Sequence, residues 1–301
     1  MTGGVGPNAD GGHGAVLVST DWLEAHLRDG TVCVVDVRGQ VMPPGTKPRY
    51  VARRDSYDAG HIPGAVFVDW TRDIVDESDP VPVQVASPEA LAKKMGELGI
   101  GDDTFVVAYD DYDHIFAGRL AWALRYAGHE AVRVLDGGWL RWSAEGRPTT
   151  REVPRRAPAI FTPQRRRELR RTADEVAAAL GRADVLLVDA RAPEQYAGSV
   201  RAAGRGGHIP GAKNVPYARL IEATTGRFLS DDGLRRVFAE SGIDAAHLPR
   251  EVIVYCNGGV SCTVPLNALR ILGRDDVAVY DGSWNEWGND DTRPAEVDAK
   301  G

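Results

Sequence analysis

Short β-branched and aliphatic runs alternate along the chain with segments whose apolar positions recur at helical spacing. Thr31-Val-Cys-Val-Val35, Thr104-Phe-Val-Val-Ala-Tyr109, Val132-Arg-Val-Leu135, Val185-Leu-Leu-Val and Val252-Ile-Val-Tyr255 read as buried strands. Helical patterns fall around them. Leu17 to Leu27 sets Trp22, Leu23 and Leu27 on one face behind Ser19 as N-cap, and Ser87-Pro-Glu89 opens a helix to about Leu98 with proline at its first position. Ile115 to Tyr126 reads as a further helix. Thr172-Ala-Asp-Glu175 is a capping box that starts one running to Leu180, and the segment from Val264 is stopped by Gly273. The Pro- and Arg-rich stretch with Pro43, Pro44, Pro48, Arg53 and Arg54 reads as a loop. Strands separated by helices predict an α/β chain with mostly parallel sheet flanked by helices.

The pattern then repeats. Val-Val-Asp36-Val-Arg38 returns as Leu-Val-Asp189-Ala-Arg191, and Gly60-His-Ile-Pro-Gly-Ala65 as Gly207-His-Ile-Pro-Gly-Ala212. Val106-Val-Ala-Tyr109 returns as Val252-Ile-Val-Tyr255, and Asp136-Gly-Gly-Trp139 as Asp281-Gly-Ser-Trp284. The last three pairs hold offsets of 147, 146 and 145 residues, so the chain is a tandem duplication of one α/β unit. Two domains are expected, over residues 15–150 and 165–295, joined by a Pro/Arg-rich linker around 150–170.

Composition narrows the class of partner. With 43% apolar and 26% charged residues the chain is globular, and a net charge of −7 argues against a nucleic-acid binder. The dense basic run, Arg165-Arg-Arg167 with Arg170-Arg171, falls in the linker and reads as a solvated face. Three cysteines, Cys33, Cys256 and Cys262, are too few for a disulfide framework, and no His/Cys cluster has zinc spacing. A reducing cytoplasm is expected. Met1 to Gly14 is Gly-rich, without the regions of a signal peptide, and is expected to carry no fixed structure. No apolar run approaches the ~18 residues of a membrane span. Neither a nucleic-acid nor a membrane partner is therefore expected.

Chemistry concentrates at Cys256-Asn-Gly-Gly-Val-Ser-Cys-Thr263. Cys33 sits inside a strand and reads as core. Cys256 instead ends a strand, before two glycines and a helix start, where backbone N–H groups and the helix terminus favour negative charge. Such a nest lowers a thiol's pKa and yields the nucleophilic thiolate. A merely buried cysteine is the competing reading. The repeat bears on the choice: the position matching Cys256 in the first half is Asp110, so one chemically competent half and one silent half is the simpler picture.

The paired Gly-His-Ile-Pro-Gly-Ala segments, the Asp-x-Arg strand ends, the strand–Cys–glycine loop and Gly282-Ser-Trp-Asn-Glu-Trp287 together resemble the tandem-domain rhodanese family, which comprises thiosulfate and 3-mercaptopyruvate sulfurtransferases. The resemblance covers about residues 15–295. It implies two rhodanese-like domains, the first non-catalytic, the second catalytic through a persulfide on Cys256. The sulfane sulfur would come from thiosulfate or 3-mercaptopyruvate. It would pass by ping-pong transfer to cyanide, a thiol or a reduced protein such as a thioredoxin-like partner. No metal or organic cofactor is implied. Backbone amides of Asn257, Gly258, Gly259, Val260, Ser261, Cys262 and Thr263 would hold the transferred sulfur.

Several positions depart from the family pattern. The mercaptopyruvate branch places the first-domain histidine, here His61, in a Ser-His-Asp relay; the serine position is Gly258 and the acidic one falls nearest Ala52, so that relay is incomplete. His208 reads as structural. Thiosulfate enzymes carry basic residues after the cysteine, whereas Asn257-Gly258-Gly259 is small and uncharged. A substrate arginine is replaced by Gln195, for which Arg201 and Arg205 would compensate; Arg191 reads as a tie at its strand end. Cys262 is either a small residue facing the helix start or a resolving thiol for Cys256. Tyr112, His114 and Asp69 are candidates for the cleft between domains. A phosphatase on this scaffold needs an arginine six residues after the cysteine, where Cys262 stands. The remaining alternative is a non-catalytic, redox-regulated binding module with Cys256 and Cys262 as a thiol sensor.

Overall fold

The computed structural model describes residues 12–298; the opening stretch expected to lack fixed structure lies outside the described residues up to residue 11. The first half runs β1 (Leu17–Val18), α1 (Thr20–His26), β2 (Val32–Asp36), β3 (Gly39–Val41), β4 (Tyr50–Ala52), α2 (Arg54–Ala59), β5 (Val66–Phe67), α3 (Pro88–Glu97), β6 (Phe105–Tyr109), α4 (Ile115–Tyr126), β7 (Val132–Leu135) and α5 (Gly138–Ala144). The second runs β8 (Arg170–Arg171), α6 (Ala173–Ala179), β9 (Val185–Asp189), α7 (Pro193–Tyr196), β10 (Lys213–Asn214), α8 (Asp231–Glu240), β11 (Glu251–Tyr255), α9 (Thr263–Ile271), β12 (Val277–Tyr280) and α10 (Ser283–Trp287). The local signals act as expected. Ser19 and Ser87 accept from Trp22 N and Ala90 N, and the Thr172–Glu175 capping box closes reciprocally.

Each half forms a five-stranded, all-parallel sheet, β1-β7-β6-β2-β5 and β8-β12-β11-β9-β10, so β6 and β11 are both central. The two-residue edge strands are too short to leave a pattern in the sequence. In α/β sheets the loops beyond the carboxyl ends of strands are where ligands bind. Asp110 and Cys256 occupy that position at the ends of β6 and β11.

Every residue of α4 and α9 is buried, which explains why both helices are mainly apolar on every face, with Arg119, Arg125, Asn267 and Arg270 among the buried polar exceptions. They meet near their N-terminal ends: a Cβ on Gly118 would stand 2.6 Å from Thr263 Oγ1. This contact brings the two strand-end loops to one interface.

The Pro/Arg-rich stretch is not only a loop. Val41 pairs antiparallel with Tyr50 and Gln40 with Val51, making a β3–β4 hairpin. The linker also does more than connect: Phe161 is buried, and Ala159 N donates to Gly96 O. Arg165 and Arg166 face Glu89 and Glu130 at the surface, as a solvated basic run should, but Arg170 and Arg171 are half-buried in β8, where they pair with Asp281 at 3.3 Å and Glu251 at 2.7 Å.

Candidate active site

The loop after β11 is fixed from three directions. Ser283 Oγ accepts from Cys256 N at 3.1 Å and Gly259 N at 3.0 Å while donating to Tyr280 O at 2.8 Å. Trp284 N and Asn285 N donate to Cys256 O and Asn257 O, at 3.0 and 2.7 Å. Ser283 holds a φ of +52°, a strained region for a residue with a Cβ, and its counterpart in the first half is Gly138 with φ +53°. Gly259 needs its own φ of +74°, and a Cβ there would meet Asp281 Oδ1 at 2.6 Å.

The third brace comes from the first half. Arg119 on α4, fully buried, donates through Nη1 to Gly259 O at 3.1 Å and Asp281 Oδ1 at 2.6 Å, and through Nη2 to Val83 O at 2.8 Å. Asp281 Oδ2 accepts from Val85 N at 2.8 Å. Sequence reasoning did not reach Arg119, and it used Asp281 and Ser283 only as marks of the repeat and of the resemblance, not as site residues. For Ser283 a signal existed, since it is a point where the second repeat departs from the first.

Cys256 lies at the base of this loop, only 2% exposed. Burial pushes its thiol up. Hydrogen bonds from the Cys262 thiol, the Ser261 hydroxyl and the Cys262 and Gly258 amides outweigh that cost and hold it at about 5, down from an ordinary 9.0. Cys256 is therefore a thiolate at neutral pH. Burial, and then the hydrogen bond to Cys256, push the Cys262 thiol well above the ordinary range, so it stays protonated as a donor. Cys33 is raised to about 11 by burial and is inert. All three cysteines are free.

The expected ring of seven loop amides is narrower. Gly259 N is engaged by Ser283, and Thr263 N by Val260 O at 3.1 Å. Thr263 Oγ1 turns to Val260 O and, across the interface, to Ile115 O, while Val260 is core. A cleft of about 480 Å³ opens over the loop, lined by Asn257, Ser261, Gln195, Tyr112, Tyr217 and Arg49 among others. Gln195 Oε1 accepts from Asn257 Nδ2 at 3.2 Å.

The candidate compensating arginines are not at this cleft. Arg205 donates to the carbonyls of Arg293, Trp287 and Asp290, at 2.8, 2.8 and 2.6 Å, so it ties down the chain after α10. Arg201 is exposed and outside the cleft lining. Arg191 forks onto Asp189, donates to Gly207 O and stacks on Trp284, as a strand-end tie should. Arg49, on the unforeseen hairpin, is the arginine that lines the cleft without an acidic partner among the described residues.

No histidine relay reaches Cys256. His61 is buried with Nδ1 on Tyr57 O at 2.8 Å and Nε2 on Glu152 O at 3.0 Å; His208 repeats the arrangement with Nδ1 on Tyr196 O at 2.9 Å. Both rings stack on those tyrosines. His114 Nε2 bonds Gly226 O, and Asp69 caps a turn through Thr71, so of the three cleft candidates Tyr112 alone lines it.

In the first half the matching loop carries its own anion. Asp110 Oδ1 accepts from the amides of Tyr112 and His114 at 2.9 and 3.1 Å, and Oδ2 from those of Phe116 and Ala117, both at 2.8 Å. The carboxylate fills the cradle that in the second half faces a sulfur. The hairpin through Gly226 covers it, with Arg227 Nε on Asp136 Oδ2 at 2.7 Å and Phe228 N on Asp136 Oδ1 at 3.1 Å. Among the described residues no group of three or more His, Cys, Asp or Glu could hold a metal ion, and no helix is long and apolar enough to cross a membrane.

Comparison with known proteins agrees with this geometry. The rhodanese-like domain family matches residues 19–145 and 172–290. The sulfur carrier protein TtuD of Thermus thermophilus is 38% identical over 290 residues, covering 92% of this chain and 95% of its own. Rat thiosulfate sulfurtransferase is 37% identical over 282 residues, covering 90% and 91%. The crystal structure of SseA from Escherichia coli, described among 3-mercaptopyruvate sulfotransferases, superposes with a TM-score of 0.79 at 32% identity, over 89% of this chain and 98% of that one. Two copies of the domain, two parallel sheets and these relatives together make the chain a tandem-domain member of the rhodanese family of sulfurtransferases.

Proposed function

We propose that the second domain, over residues 165–295, moves a sulfane sulfur from thiosulfate or 3-mercaptopyruvate to a thiophilic acceptor through a persulfide on Cys256. The observation that carries this reading is a thiolate held at about 5 in a loop whose amides have no other anion to bind. The Cys256 thiolate attacks the outer sulfur of thiosulfate, and sulfite leaves with the S–S electron pair. With 3-mercaptopyruvate the attack falls on the thiol sulfur; the C–S pair leaves as pyruvate enolate, which takes up a proton. In the second half-reaction cyanide removes the outer sulfur as thiocyanate, or a thiol removes it as a new persulfide, and the Cys256 thiolate returns. The Gly258 and Cys262 amides suit the single negative charge that moves from the Cys256 thiolate to the outer sulfur of the persulfide.

The domain over residues 15–150 is assigned a silent role, because Asp110 already neutralises its loop. A small thiol, cyanide or a reduced thioredoxin-like protein fits as acceptor. Free cysteines support a reducing compartment such as the cytoplasm. Steady-state kinetics with varied donor and acceptor test the mechanism. Parallel double-reciprocal lines, with activity lost in Cys256→Ser and kept in Asp110→Asn, are expected; intersecting lines, or activity in Cys256→Ser, contradict it. The hydrogen bond from Cys262 to Cys256 favours a second reading, a thiol-sensor module, which becomes the better one if neither donor transfers sulfur.

A further inference from the structure

The second domain lacks two groups that a site for an anionic sulfur donor calls for. Position 195 carries an uncharged amide, and position 258 carries no side chain. Both gaps face the β3–β4 hairpin of the first domain. A Cβ at Gly258 would stand 3.4 Å from the Tyr50 hydroxyl and 2.8 Å from Asn285 Nδ2, which itself donates to that hydroxyl over 2.9 Å. The room for a side chain at 258 is taken by Asn285 Nδ2 and, from the first domain, Val83 Cγ2 at 2.9 Å, with the Tyr50 hydroxyl in contact beside them.

Arg49 precedes Tyr50 and lines the cleft over the loop with Asn257, Ser261 and Gln195. Its Nη1 reaches across to Ala202 O at 3.3 Å, and its buried Nε has no partner. Arg191, the other arginine of the cleft, is neutralised by Asp189. Glu194 at the exposed rim is the acidic residue of the lining. The cleft therefore holds one guanidinium with donor capacity left over.

We propose that Arg49 and Tyr50 complete the donor site across the domain interface. Arg49 binds the anionic oxygen end of the donor, and the Tyr50 hydroxyl, held by Asn285, donates to its sulfur end beside Cys256. A half-buried guanidinium facing an oxyanion makes a charge-assisted bond that Gln195 cannot offer. Burial foremost, and the Cys256 charge as well, hold the Tyr50 phenol protonated against the opposite pull of Arg49 and Asn285, so it is a donor at neutral pH. The donor's identity rests on the sulfurtransferase reading; the charge selectivity of the cleft does not.

The test compares alkylation of Cys256 by iodoacetate, an anion, with alkylation by iodoacetamide, its neutral analogue, and then measures sulfur loading from thiosulfate. Arg49→Gln should lower the iodoacetate rate about tenfold and the iodoacetamide rate far less, with Arg49→Lys recovering most of the loss. The same variant should raise KM for thiosulfate about tenfold with little change in kcat, while Tyr50→Phe keeps the iodoacetate preference and lowers kcat. Equal effects of Arg49→Gln on both reagents, or an unchanged thiosulfate KM, overturn the proposal and leave the Cys256 persulfide standing. Loss of iodoacetate preference in a protein that no donor loads with sulfur supports the anion site and instead refutes the sulfurtransferase reading.

Discussion

Two thiols six positions apart are driven in opposite directions by their surroundings. Cys256 is lowered to about 5 by donors that include the Cys262 S–H, while Cys262 is raised because burial and that same bond favour its proton. A thiolate with a pKa near 5 is fully formed above about pH 6, so alkylation of Cys256 should be flat from pH 6 to 8 and fall with a half-point near 5. Cys262→Ala removes one donor to the charged form and should move that half-point up by about one unit, whereas Cys262→Ser, which keeps a donor, should move it less. A half-point near 9 in the native protein would show the loop amides do not act on the sulfur. Gly258 makes a second residue-scale case. Gly258→Ser would push a Cβ to 2.9 Å from Val83 Cγ2 as well as into Asn285, and should cost about 1–3 kcal/mol in denaturant unfolding. No loss would mean the Tyr50–Asn285 pair yields easily.

The elements that position these residues were legible to different degrees. Strands β6 and β11 and helices α3, α4 and α6 carry their signals locally, in β-branched runs, serine and threonine caps and an apolar stretch interrupted only by Gly118, Arg119 and Arg125. The β3–β4 hairpin does not, because its pairing joins Val41 to Tyr50 across a Pro-rich turn whose composition imitates a plain loop. Arg49 was therefore invisible as a cleft residue, and Arg201 and Arg205 stood in its place. Arg205 failed for a definable reason: carbonyls at the end of α10 need a donor, and no local pattern reveals that demand. Cys256 was legible because the repeat offers an internal control in Asp110, and the same comparison of Gly138 with Ser283 would have found the brace beneath the loop. Ser283→Ala leaves the amides of Cys256 and Gly259 without their acceptor. It should destabilise the protein by about 1–3 kcal/mol and slow Cys256 alkylation; Ser283→Gly should be milder because it relaxes the positive φ.

At the scale of the molecule, duplication has set two similar strand-end loops, one ending in Asp110 and one in Cys256, at one interface. Each strand-end loop is covered by the other half: Val83 and Val85 approach Asp281 beside Cys256, and Gly226 and Phe228 approach Asp136 beside Asp110. The asymmetry lies in what fills the cradle, a carboxylate in one and a sulfur in the other. Arg119 makes the reactive loop depend on both halves at once. Arg119→Met takes from the buried Asp281 the guanidinium 2.6 Å from its Oδ1 and leaves it the half-buried Arg170, 3.3 Å from Oδ2, and thermal or denaturant unfolding should show a loss of about 1–3 kcal/mol. A loss below ~1 kcal/mol would show that the two halves hold the loop independently.

The most direct test of the account is the intact mass of the reduced protein after brief incubation with thiosulfate or 3-mercaptopyruvate, with no acceptor present, followed by mapping of the modified peptide. Gain of one sulfur atom on Cys256, absent in Cys256→Ser, retained in Cys262→Ser and discharged by cyanide, is the expected result. Unchanged mass with both donors, while iodoacetamide still labels Cys256, would contradict it.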